Sequence, residues 1–208
     1  MTKVGKIRFL AVVFALLLCW GCGGMSFSSK PEASSTEVFG PMPAEQLLKM
    51  AEDRFKAGDY LAAMRAYDAF EKDHPGSQLM PFCVFGRGLS YMHEMETIDR
   101  DQAMCRKAAE QFQRVVDRYP DWKYTADAKA HLKKCRGNLA EHEFYVGSYY
   151  QRTGRYRAAL VRYQGLARDY PEFTKGAEVK KGIAECEAEL AKAPKPKGLI
   201  AQLFDAQW

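Results

Sequence analysis

The residues that could do chemistry are few and scattered along the chain. The four histidines, His74, His93, His131 and His142, lie far apart, and none falls in an H-E-x-x-H or other zinc-ligand spacing. His142 and Glu143 are adjacent, so on a helix they point in different directions rather than at one metal or one proton. Asp99 and Asp101 could share acid–base work, but around Arg100 on a charged stretch they read more simply as ion-pair partners. No glycine-rich phosphate loop occurs, since Gly23-Gly24 lies in a Ser/Pro-rich stretch, and no G-x-S-x-G elbow is present. The sequence therefore assigns no catalytic residue, no metal ligand and no cofactor. The one thiol placed for covalent chemistry is Cys22, near the N-terminus.

Lys3, Lys6 and Arg8 precede an apolar run, Phe9–Leu18, followed by Cys19-Trp20-Gly21-Cys22. This is the order of a secretory signal, and the run is shorter than the roughly twenty residues of a membrane span. Gly21-Cys22 resembles a bacterial lipobox, in which a small residue precedes the cysteine that is diacylated and becomes the new N-terminus. Cys19 and bulky Trp20 stand where that motif has Leu and a small residue. Gly23, in place of Asp, implies by the same resemblance sorting to the outer membrane. An ordinary secreted protein with incidental cysteines is the alternative. Three of the 31 basic residues fall in this leader, and the remainder nearly balance the 26 acidic ones. With no dense Lys/Arg run, nucleic acid is excluded as a partner.

The elements that position everything else come from a repeat. Ala63, Tyr67, Phe70 and Pro75 recur in phase as Ala108, Phe112, Val115 and Pro120, and again as Ala159, Tyr163, Leu166 and Pro171. The alanine admits a partner helix, the aromatic four residues on fills the same face, and the proline stops the helix. This is the second helix and closing proline of a tetratricopeptide (TPR) repeat. The expected fold is all-α, a TPR-like α-solenoid of antiparallel helix pairs. Gly58-Asp59-Tyr60 and Gly154-Arg155-Tyr156 make matching inter-helix turns, each seventeen residues before its proline. In the middle unit, with Gly88 and Tyr91 as counterparts of Gly147 and Tyr150, eight residues are inserted around Met92–Met104. The insert reads either as a functional loop or as a charged extension of the two helices.

The chain then divides into a leader (1–21), a Gly/Ser/Pro-rich tether (22–43), a helical array (44–192) and a tail (193–208) that opens on Pro194-Lys195-Pro196. The tether could instead dock through Val38 and Phe39. Residues 124–152 read as one long helix or two with a bend at Gly137-Asn138. A capping helix is expected over about Lys175–Ala191, and the tail either docks or frays. Cys83, Cys105, Cys135 and Cys186 read as small buried packing residues, with a bridge such as Cys83 to Cys105 as the alternative in an oxidising compartment.

At 84–91 (VFGRGLSY), 99–102 (DRDQ), 108–127 (AAEQFQRVVDRYPDWKYTAD) and 143–171, the chain resembles the BamD family, the TPR lipoproteins of the β-barrel assembly machinery. The resemblance implies a non-catalytic protein held at the periplasmic face of the outer membrane by a lipid on Cys22. It also implies partners: the POTRA-bearing barrel subunit (BamA type), other Bam lipoproteins and unfolded outer-membrane proteins. Arg162 is carried over as a contact near the barrel-subunit face, and Arg87, Asp99, Arg100 and Asp101 as matches to the family's shared insert region. Such proteins usually carry about five TPR-like units. Between Pro75 and Val84 there is no room for the unit expected there, so about one repeat is missing. A different periplasmic TPR adaptor, serving envelope division or peptidoglycan work, is the alternative function.

Overall fold

A computed structural model of the chain describes residues 42–192. The leader, the tether up to residue 41 and the tail 193–208 lie outside the described residues, and with them Cys22. Seven helices follow one another: α1 (Ala44–Lys56), α2 (Tyr60–Asp73), α3 (Met80–His93), α4 (Ala103–Arg118), α5 (Thr125–Arg152), α6 (Tyr156–Asp169) and α7 (Gly176–Lys192). Each packs chiefly on the next in sequence, and the described residues contain no strand, so the architecture is the expected solenoid of helix pairs. None of these helices is long and apolar enough to cross a membrane.

The turns show why the repeat recurs. α1 and α5 both end in a glycine of left-handed conformation, Gly58 (φ 78°) and Gly154 (φ 74°). The Gly58 N–H donates to the Phe55 carbonyl and the Asp59 N–H to that of Arg54; Gly154 and Arg155 repeat both bonds on Gln151 and Tyr150. This is the glycine-terminated Schellman stop, and only glycine adopts that conformation at no steric cost. Asp59 then caps α2 by accepting from the Ala62 N–H at 3.0 Å. Met95 occupies the corresponding place after α3, so the stop cannot form there and the chain runs on. The insert is mainly a nine-residue loop, Glu94–Gln102, with α4 also two residues longer than α2 and α6.

The links between repeats are equally regular. His74, Tyr119 and Tyr170, each before a proline, have nearly the same backbone (φ −131° to −134°, ψ 52° to 60°). Each carbonyl then accepts from the residue three on, whose own carbonyl accepts from the residue three further, ending at Met80, Thr125 and Gly176. The joint between α2 and α3, where a repeat was expected to be missing, is therefore built like the others. The array stays in phase across it.

Every alanine, aromatic and apolar residue of the three marked sets is buried. In two of the pairs the aromatic ring of the second helix lies against a glycine of the first, while Tyr67 of α2 lies against Gly86 of α3. A Cβ on Gly88 would come within 2.9 Å of the Phe112 ring, and one on Gly147 within 2.8 Å of Tyr163. The core forms two clusters, one under α1 to α4 and the first half of α5, the other under the second half of α5, α6 and α7. α5 is one unbroken helix of 28 residues that passes from one cluster to the other between Leu139 and Ala140.

Candidate docking surface

α6 turns Val161 (64 % exposed), Arg157, Arg162 and Arg168 outward. Together with Glu143 and Tyr150 of α5, and Tyr170 beyond α6, these residues line a groove of about 610 Å³. Three arginines, Arg157, Arg162 and Arg168, and two acids, Glu143 and Asp169, line it, so positive charge is in excess by one. Arg162 is half-exposed, and its Nη1 lies 3.1 Å from Glu143 Oε2. Arg168 forks onto Asp169 at 2.7 and 2.9 Å and holds that carboxyl below the ordinary range. Apolar side chains beside paired arginines and carboxylates offer a partner burial for affinity and charge for orientation.

The inserted loop occupies a different flank of α5. Its acids build the loop: Asp99 Oδ1 accepts from Thr97 Oγ1 at 2.6 Å, which lowers its pKa, and Asp101 Oδ1 accepts from the Ala103 N–H at 3.0 Å and from Arg106 at 3.2 Å. Gln102, buried, donates to the Thr97 and Arg100 carbonyls at 2.9 and 3.0 Å. Arg100 is exposed beside Glu96 at 3.7 Å. His142 Nδ1 ties the loop to α5 by donating to the Ile98 carbonyl at 2.5 Å. The adjacent residues His142 and Glu143 thus address the loop and Arg162 respectively. Asp99, Arg100 and Asp101 do not converge with Arg162 on one site.

Arg87 has a different place from the other four. Its side chain is 8 % exposed and ties together three helices. Nη1 donates to Asp68 Oδ1 at 2.5 Å, Nη2 to Glu71 Oε2 at 2.5 Å, and Nε and Nη2 to Gln111 Oε1 at 3.2 and 2.7 Å. Arg114 completes the cluster on Glu71 and Gln111. Its donors face inward and are engaged between α2, α3 and α4, which is the place of a packing residue rather than of an open contact. Asp68 and Glu71 on α2, and Gln111 and Arg114 on α4, are i,i+3 pairs, a spacing that puts each pair on one face. That was the available signal for the cluster, but only the packing shows that the two faces meet.

The Arg114 guanidinium, helped by Arg87, holds the Glu71 carboxyl below its ordinary 4.5. A carboxylate whose pKa is depressed in the folded state stabilises fully above its unfolded value, and this contribution is lost as pH falls through the folded value. Urea melts should therefore show stability falling below about pH 4.5. Glu71→Gln should remove that component, giving a smaller loss between about pH 6 and about pH 3 than the parent protein shows.

A regular stack of helix pairs with a charged lateral groove defines a helical-repeat protein. Comparison with known proteins gives it a family. Residues 32–191 match the YfiO family, described as an outer membrane lipoprotein, and the chain belongs to that family. Its relatives include proteins named outer membrane protein assembly factor BamD. That of Xylella fastidiosa strain 9a5c is 29% identical over 64% of this chain and 49% of its own length, and that of Neisseria meningitidis strain MC58 is 31% identical over 65% and 53%. That of Vibrio cholerae is 26% identical over 80% and 85%. The chain spans about half the length of the first two of these relatives. The Vibrio alignment extends over 214 residues, more than this chain's own 208, so it includes positions of the relative that have no counterpart here.

Proposed function

We propose that this protein is a non-catalytic scaffold of outer-membrane protein assembly. In this reading it is lipid-anchored through Cys22 at the periplasmic face and docks a POTRA-bearing barrel subunit through the α5–α6 groove. The observation that carries the reading is Arg162, half-exposed beside an outward valine and held in place by Glu143 across the groove. A surface arginine pre-oriented by one carboxylate can exchange it for a partner's without losing much side-chain freedom, since its rotamer is already restricted. Family membership and the names of the relatives support the assembly role. The inserted loop, with Asp99, Arg100 and Asp101, supplies a second polar surface for other lipoproteins of the complex. The shortened N-terminal part of the array reduces the surface available to unfolded outer-membrane proteins more than it affects docking of the barrel subunit.

Affinity capture of the tagged, lipidated protein should bring down a POTRA-bearing barrel protein. Arg162→Glu should reduce that capture at least about tenfold, because it places like charge against the partner's acids, while leaving the melting temperature nearly unchanged. Capture of no such partner by the unmutated protein sinks the proposal. Capture of a peptidoglycan or division protein instead would assign the groove to a different adaptor. Mass spectrometry of the mature N-terminus tests the anchor, with a diacylglyceryl Cys22 as the expected species.

A further inference from the structure

Two of the buried cysteines meet across the seam between α4 and α5. All four described cysteines have free thiols. Cys83 donates to the Tyr67 carbonyl at 3.2 Å, and Cys186 lies in the second core cluster, so neither is placed to meet the others. Cys105 and Cys135 differ. The Cys105 Sγ donates to the Cys135 carbonyl oxygen at 3.4 Å, which brings these two cysteines together across the seam. Both side chains are shut off from solvent, with exposures of 1% and 0%.

We propose that Cys105 and Cys135 are joined by a disulfide when the chain folds in an oxidising compartment, stapling α4 to α5. The compartment follows from membership in an outer membrane lipoprotein family, and envelope proteins fold where disulfides persist. The thirty-residue separation encloses the rest of α4 and the Pro120 link, a loop long enough for a cross-link to restrict the unfolded chain substantially.

The two thiols are chemically unequal. Cys105 stands in the first turn of α4, where unsatisfied N–H groups favour negative charge. In the closed fold the neighbouring Cys135 holds the Cys105 thiol below its ordinary pKa, and Cys105 together with burial holds that of Cys135 above it. Before α4 closes on α5 only the helix N-terminus acts on either thiol, and it favours Cys105 as the attacking thiolate. Cys105 displaces one thiolate from an exchange-competent disulfide, either a thiol–disulfide oxidoreductase or oxidised glutathione, and forms a mixed disulfide. Cys135 gives up its proton to solvent and attacks the Cys105 sulfur, expelling the second thiolate. Two protein thiols are oxidised and one external disulfide is reduced, a two-electron exchange. Because both sulfurs are covered in the folded array, exchange precedes the final closure of α4 on α5. The bridge fixes the first turn of α4, and with it the adjoining Gln102 that organises the inserted loop, against the same helix that holds the loop through His142.

The full chain isolated with outer membranes, alkylated under denaturing conditions and digested without reductant, should yield a linked Cys105–Cys135 peptide pair. Reductant should lower the melting temperature by on the order of 10 °C in the parent protein, and have little effect in Cys105→Ser/Cys135→Ser. Free, alkylated thiols at both positions in outer-membrane material overturn the staple while leaving the membership and location readings intact. So does a bridge from Cys83 to either. Where the double variant does not accumulate, the parent chain refolded in a glutathione redox buffer provides the second measurement: preferential formation of Cys105–Cys135 supports the bridge, and other pairings or none reject it.

Discussion

Tyr163→Ala is expected to lower the stability of the array by about 3–5 kcal/mol, among the largest effects of any single change in the protein. The ring is buried between two helices that approach it only because they carry glycine. A Cβ on Gly147 of α5 would stand 2.8 Å from one edge of the ring, and one on Gly182 of α7 2.7 Å from the other. Its hydroxyl, at the end of the slot, donates to Gln151 Oε1 at 2.8 Å and lies 3.1 Å from Ser148 Oγ. Truncation leaves a ring-sized void that glycines cannot fill, since they have no side chain to rotate into it. α7 packs mainly on α6, so its amide protons should lose protection first. Tyr163→Phe keeps the ring and deletes the hydroxyl bonds, and should cost only about 1 kcal/mol. Chemical denaturation of the two variants, with hydrogen exchange along α7, checks the argument. A Tyr163→Ala protein with an unchanged midpoint would show that the slot collapses around the missing ring.

Arg87→Met is expected to cost about 3 kcal/mol, near the lower end of the range for breaking a buried ion pair. The guanidinium is covered and holds Asp68, Glu71 and Gln111 on α2 and α4 around α3. Once it is removed, Glu71 keeps Arg114, and Asp68, more than half exposed, returns to water, which limits the loss. Arg87→Lys should recover less than half of it, because an ammonium cannot fork to several acceptors held in fixed directions. If Arg87 were instead a partner contact, Arg87→Met would reduce capture of a partner and leave the urea midpoint in place. Equilibrium unfolding beside the capture assay separates the two.

The position of Arg87 in the sequence, inside a stretch that resembles the family's, gave no sign of burial. Its neighbours in space lie 16, 19 and 24 residues away, on two other helices. The same holds for Arg162 and Glu143, for His142 and the loop it ties down across 44 residues, and for Cys105 and Cys135, which meet across the α4–α5 seam. Charged residues at these positions look alike in sequence whether they are solvated, paired or offered to a partner.

What the sequence by itself determined is the architecture: three in-phase helices closed by proline, two glycine stops, one unit stretched by an insert, and one joint too short for another repeat. Those features act through the backbone of a few neighbouring residues, through φ fixed at proline, the left-handed conformation open to glycine, and the helical period that gathers apolar residues on one face. Only the tertiary structure decided which polar groups are buried together and which remain available. The helices' mutual approach, set by the small residues at their crossings, brings side chains from distant segments within reach, and no local spacing encodes that distance.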